Sequence, residues 1–218
     1  MEVIMKNFAA KLALLSALSL CGSGTALAET PPAGVRKENL VARVDLVQVP
    51  TSVFDKYFAG AKLKGELSGV LSSDSRVKVL TSNEVLFQVG KPCLVHLGTK
   101  YAISYFDPRS SQFQIQYVDI GSKLDVHCKS ETAGGYTVDV NPETSTFVKS
   151  RGLTTGTGAN YPETSVLRSQ VRLSGVQLHQ SWVVGTISNG EAQSWLAASG
   201  ISASEPQSLV YVITMEKP

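Results

Sequence analysis

Between Glu84 and Val140 apolar and polar residues alternate through two turn signals, and a period of two sustained over that distance specifies an antiparallel β-meander. The stretch opens with Val85, Phe87 and Val89 and stops at Gly90. From Lys91 to Phe106 the apolar set sits on odd positions: Cys93, Val95, Leu97, Tyr101, Ile103 and Tyr105. Asp107-Pro108-Arg109-Ser110-Ser111 supplies turn chemistry, because Pro fixes φ and Asp and Ser bond their own backbone. The return strand begins on odd positions, Phe113, Ile115 and Tyr117, then moves to even ones, Ile120, Leu124, Val126 and Cys128. A one-residue change of phase is what a β-bulge produces, and Gly121 lies beside it. With such a bulge Tyr105 faces Ile115, Tyr101 faces Ile120, Val95 faces Val126 and Cys93 faces Cys128. After Ala133-Gly134-Gly135 a third strand carries Tyr136, Val138 and Val140 on one face. Hairpin arms of about 14 residues span roughly 45 Å at 3.3 Å per residue, which suits a barrel wall or a protruding finger.

Residues 1–28 read as a secretory signal peptide: Lys6 and Lys11, an apolar run from Leu12 to Leu20, and a small-residue cleavage site at Ala26-Leu27-Ala28. Residues 29–39 form a Pro-containing lead, expected to be flexible, and residues 40–218 the body of the protein. The whole sequence has 20 Lys plus Arg and 18 Asp plus Glu; without Lys6, Lys11 and Glu2 these become 18 and 17. So even a balance gives no case for nucleic acid. No run after the leader is long enough for a transmembrane helix, while alternating strands leave a β-barrel wall open.

In the body, Leu40 to Val49 reads as a strand stopped by Pro50. Thr51-Ser52 with Asp55 starts a helix bearing Val53, Phe54, Tyr57 and Phe58. Leu63, Leu67, Val70 and Leu71 keep a helical spacing for a second short helix. Arg76 to Leu80 reads as a strand, with Ser82-Asn83 a turn into the meander. Asn141 to Ser165 reads as loop, being rich in Ser, Thr and Gly. Val166 to Val176 and Ser181 to Ile187 read as a hairpin around Leu178-His179-Gln180, and Glu191 to Ala198 as a helix with Trp195. Leu209 to Met215 is an unbroken apolar strand, a pattern of burial on both faces or of a closed sheet. The fold class is therefore mainly β with a small α+β N-terminal part.

No nucleophile motif, metalloprotease helix or phosphate cradle is present, so no enzyme and no cofactor are expected. The bulged register sets His96 opposite Asp125 and diagonal to His127, a set able to hold zinc with an open position; the other reading is a solvated polar face. Cys93 and Cys128, the cysteines left after leader removal, are a disulfide candidate in an oxidising compartment, or else two small buried hydrophobes.

The order of the runs Arg76-Val-Lys-Val-Leu-Thr-Ser, Val85-Leu-Phe-Gln-Val-Gly90, Tyr117-Val-Asp-Ile-Gly-Ser-Lys-Leu124, Tyr136-Thr-Val-Asp-Val140, Trp182-Val-Val-Gly185 and Leu209-Val-Tyr-Val-Ile-Thr214 resembles the C-terminal domain of the secretins, the outer-membrane pore proteins of type II and type III secretion systems and type IV pili. The resemblance covers most of residues 40–217. It implies an antiparallel meander or barrel subunit with long hairpins, in a homo-multimer that forms a passage in the outer membrane beside secretion-system proteins and exported cargo. The hairpin from Pro92 to Val118 would correspond to the gate, with Gly90, Pro92, Gly98 and Gly121 at its bends. The sequence departs from the family in the segment from Ser188 to Ser208, which lacks the usual Pro- and Gly-containing motif, at Thr186, where a Gly is usual, and at His179, where an Asp-Gly turn is common. The reading leaves no room for periplasmic domains ahead of the pore domain. The alternative is a soluble exported β-rich binding or scaffold module, periplasmic, that keeps the fold and forms no pore.

Overall fold

The structure, a computed structural model, describes residues 38–107, 109–131, 134–154 and 160–218. The expected leader, its cleavage site and the lead up to residue 37 lie outside the described residues. In chain order the elements are β1 (Asn39–Pro50), α1 (Thr51–Tyr57), α2 (Leu67–Ser73), β2 (Lys78–Gln88), β3 (Pro92–Asp107), β4 (Gln112–Ser130), β5 (Tyr136–Thr154), β6 (Asn160–Arg168), β7 (Val171–Val176), β8 (Ser181–Ile187), α3 (Asn189–Ala198) and β9 (Gln207–Glu216). The fold is mainly β, with both early helices in the N-terminal part, and every ladder is antiparallel.

The strands form two sheets. In the first the order is β2-β1-β9-β8; in the second it is β3-β4-β5-β6, with β7 also on β5. β6 pairs with the distal part of β5 and β7 with its first residues, Tyr136 to Val140.

Alternation along β9 explains how the layers stack. Leu209, Tyr211, Ile213 and Met215 enter a core shared with Leu124, Val126 and Cys128 of β4 and Val138 and Val140 of β5. Val210 and Val212 enter a second core with Val53, Phe58, Leu67 and Val70 from the helical side. β9 is thus a central strand buried on both faces, covered by the other sheet and by a helical layer. A closed sheet is not what covers it. At the layer boundary the Tyr211 hydroxyl lies 3.0 Å from Thr144 Oγ1 and 3.4 Å from the Leu167 carbonyl oxygen, joining the two sheets. Its burial pushes the phenol up to about 12.

Three expectations are corrected. Ser82-Asn83 is no turn: β2 runs unbroken through it, because β1 offers both residues ladder partners, Asp45 and Val44, with one irregularity opposite Leu46 and Val47. The stretch from Asn141 to Ser165 is not loop over its described residues but the far half of β5 and most of β6, since β4 and β6 satisfy its backbone despite the Ser- and Thr-rich composition. The expected hairpin of Val166 to Val176 with Ser181 to Ile187 does not form. β7 pairs with β5 and β8 with β9, so Leu173 and Val184 reach the same core from opposite sheets. His179 sits in the connection with φ 61°, its N–H donating to the Met215 carbonyl at 2.8 Å.

Candidate functional site

β3 and β4 pair continuously from Pro92↔His127 to Asp107↔Gln112 with no register shift. The expected bulge is absent. In its place Gly98 lies directly opposite Gly121, which has φ +136°. A Cβ on Gly98 would come 2.1 Å from the Ile120 carbonyl oxygen, and one on Gly121 would come 2.3 Å from that of Leu97. Only glycine permits this approach of two backbones. The pairing of β4 with β5 stops at the same level, at Gly121↔Ser145, where the Gly121 N–H donates to Ser145 Oγ at 3.1 Å.

Below the glycine pair the hairpin has one buried apolar face and one outward face that is largely polar but also carries Leu94, 70% exposed. Cys93, Leu124, Val126 and Cys128 are buried in the shared core. On the outward face His96, Lys123, Glu143 and Arg168 stand in one row across β3, β4, β5 and β6. Glu143 pairs with Arg168 at 2.7 Å and with Lys123 at 3.7 Å, and two rows on, past Asn141, Asp139 pairs with Arg172 of β7 at 2.5 Å. The Arg172 guanidinium holds the Asp139 carboxyl below its ordinary range and is itself raised.

Above the pair the residues change character. Phe113, Ile115 and Tyr117 are 76%, 63% and 65% exposed, and Tyr101 is also exposed. Without the bulge, Ile115 and Tyr117 face Ser104 and Ala102, while Tyr101 faces Val118. Residues directly opposite share a face, so the apolar rows of the two strands lie on opposite faces instead of stacking together. Tyr101 finds an edge-to-face partner in Phe147, with centroids 4.6 Å apart. At the tip the Asp107 carboxylate accepts from the Arg109 N–H at 2.9 Å, Ser110 Oγ at 2.9 Å and Gln114 Nε2 at 3.2 Å; the backbone bond to Arg109, with the Ser110 hydroxyl, lowers its pKa.

The unshifted register also separates the other expected partners. Cys93 faces Val126, and Cys128 lies one residue beyond the position facing Pro92; both are buried, and no disulfide joins them. Burial pushes Cys128 up to about 12. His96 faces Lys123, Asp125 faces Leu94 and accepts from Asn141 Nδ2 at 3.3 Å, and His127 lies beside Asp139. No group of three or more metal-ligating side chains gathers among the described residues. Gly90, with φ +86°, makes the passage from the first sheet to the second and donates its N–H to the Cys128 carbonyl at 2.8 Å; Pro92 opens β3, where a missing donor does least harm.

The outward charge row escaped the sequence reading. Its signal was the polar half of the alternation in Thr137, Asp139, Asn141 and Glu143, which continues past Val140 into what was read as loop.

No family model matches the chain, and no curated protein matches it. Solved structures do. The chain is similar to secretin domains. The secretin-domain β-barrel of InvG from the Salmonella SPI-1 injectisome is 16% identical, with a TM-score of 0.48, over 84% of this chain and 64% of that one. The type II secretin GspD of enteropathogenic Escherichia coli is 10% identical, TM-score 0.45, over 84% and 69%. Aeromonas hydrophila ExeD is 11% identical, TM-score 0.44, over 84% and 49%. This chain therefore spans between about half and somewhat over two thirds of the length of those chains. No helix among the described residues is long and apolar enough to cross a membrane, which leaves strand-based crossing untouched.

Proposed function

We propose that this protein is an exported, secretin-like component of the outer membrane that assembles with copies of itself, the long β3–β4 hairpin contributing to a shared β-lined passage for secreted proteins. In this reading it acts with other secretion-system proteins and catalyses no reaction. The observation that carries the reading is the distal hairpin. Its arms, 99–107 and 112–120, pair over nine residues each, the length of roughly 9 to 11 that a strand needs to cross a bilayer. Their exposed Tyr101, Phe113, Ile115 and Tyr117 would be unfavourable in water and suit an apolar layer or a neighbouring copy. Such a hairpin alone leaves unpaired strand edges, which copies arranged around a ring can satisfy. The order of the sequence motifs supports the same reading.

Envelope fractionation and native sizing in mild detergent, followed by conductance in a planar bilayer, test it. A large membrane-bound multimer that conducts ions is the expected result. A soluble monomer with no conductance overturns it and leaves an exported β-rich binding module.

A further inference from the structure

We propose that the open half of the β8 edge and the groove beside it take an extended segment of a partner polypeptide, apolar at alternate positions and carrying one cationic side chain. β8 is the outer strand of the first sheet. Half of its edge is already occupied from within the chain: the Leu63 N–H donates to the Ser181 carbonyl at 3.0 Å, the Val183 N–H donates to the Ala61 carbonyl at 2.8 Å, and Lys62 bridges Trp182. The short segment 61–63 therefore runs as an added antiparallel strand. At Gly60 and Phe58 the chain leaves that line for α1, and the groove opens where it departs.

The backbone pattern identifies what remains available. Ser181 and Val183 turn their polar groups outward, to 61–63. Past the irregularity between Val183 and Gly185 the register runs Gly185↔Tyr211, Thr186↔Val210 and Ile187↔Leu209, so Thr186 faces the residue two places from the Val212 that faces Val183. Thr186 therefore takes the same place in the ladder as Val183, whose N–H goes outward to Ala61, and presents its own N–H and C=O to the open edge. The neighbouring Val184 carbonyl accepts from Ser169 Oγ at 2.5 Å, closing the ladder at that one point. A segment that continues the line of 61–63 meets Thr186 three residues before Ala61.

The groove holds about 660 Å³ and is walled by Phe54, Phe58, Val171 and Val183. Asp55 is the one charged side chain among its described lining residues. Lys64 Nζ reaches the Asp55 backbone carbonyl, at 3.3 Å, and not its carboxylate. Main-chain bonds to an edge supply affinity without sequence preference, alternate side chains in the groove supply selectivity, and the carboxylate selects charge.

The probes are two blocked pentapeptides, Thr-Val-Lys-Val-Thr and Thr-Val-Glu-Val-Thr, titrated into the full-length protein as purified. The lysine peptide should slow hydrogen exchange at the Thr186 amide and bind roughly fivefold or more tightly than the glutamate peptide at low salt. Asp55→Lys, a change on an exposed helix, should reverse that order. Thr186→Pro, which removes the one open N–H at an edge that tolerates proline, should abolish binding of both peptides while the thermal midpoint stays put. Equal affinity for the two peptides, undiminished binding by Thr186→Pro, or no binding at millimolar peptide overturns the proposal. These outcomes are independent of whether the protein conducts ions.

Discussion

The same two strands behave differently on the two sides of Gly98 and Gly121. Toward the base, β3 and β4 bury one face against β9 and commit the other to the row of His96, Lys123, Glu143 and Arg168. Toward the tip, pairing continues in the same register, yet Phe113, Ile115 and Tyr117 are left uncovered. Hydrogen-bond register and solvent environment are thus separable: the ladder extends a strand regardless of what surrounds it, and side chains decide which part is stable alone. The base is a packed core; the tip carries exposed apolar side chains.

Substitutions at the three levels should sort by that division. Leu124→Ala, in the base core, should have the largest effect, a loss of roughly 2 to 5 kcal/mol read from the urea midpoint at constant slope. A loss under about 1 kcal/mol would mean that the base core is looser than described. Gly121→Ala at the boundary should cost roughly 1 to 3 kcal/mol, because the methyl meets the Leu97 carbonyl and the φ of +136° is strained for any L residue. If it is neutral, the close approach of the strands is wrong. Replacing Phe113, Ile115 and Tyr117 together by Ser should leave the urea midpoint within about 0.5 kcal/mol while the membrane-recovered fraction falls. A large drop in stability would instead place the tip inside the cooperative fold.

Acid should distinguish the two regions further. Asp139 at the base and Asp107 at the tip both have carboxyls lowered on folding, by the Arg172 guanidinium and by the Arg109 N–H respectively. A depressed folded pKa contributes stability that is complete above the unfolded value, near 4, and is lost as pH falls through the folded one. Asp139→Asn should flatten the acid limb of the global unfolding curve. Asp107→Asn should change only local exchange rates in the hairpin turn. The smallest effect belongs to Lys123→Ala, whose pairs to Asp119 and Glu143 are partly exposed at 3.8 and 3.7 Å; less than about 1 kcal/mol should be lost, and less still in high salt.

Much of the architecture could be read from alternation, because alternation reports burial. β1, α1, α3 and β9 fell where apolar spacing and Pro50 put them, and the doubly apolar β9 does lie in the middle of a sheet covered on both sides. What failed had a different physical source. The phase change between Tyr117 and Ile120 was read as an added residue, whereas a pair of facing glycines lets two backbones close up with none added; a glycine opposite a glycine carries no side-chain signal. Cys93 with Cys128, and His96 with Asp125, were set directly opposite by the shifted register, so one wrong offset moved each pair out of direct opposition. β5 and β6 were hidden by composition, since Ser and Thr are as content beside a neighbouring ladder as in a loop. The pairing of β7 and β8 with different sheets depends on a crossing of layers that local sequence does not record.

The placement of β9 bears on how copies of this chain come together. Both of its faces are covered by residues of one polypeptide, so the base can reach its folded state as a unimolecular event whose unfolding midpoint is independent of protein concentration. The assembly of copies proposed above would then be a later, bimolecular step, with a rate set by encounters between finished subunits. Dilution should slow ring formation and leave subunit folding untouched.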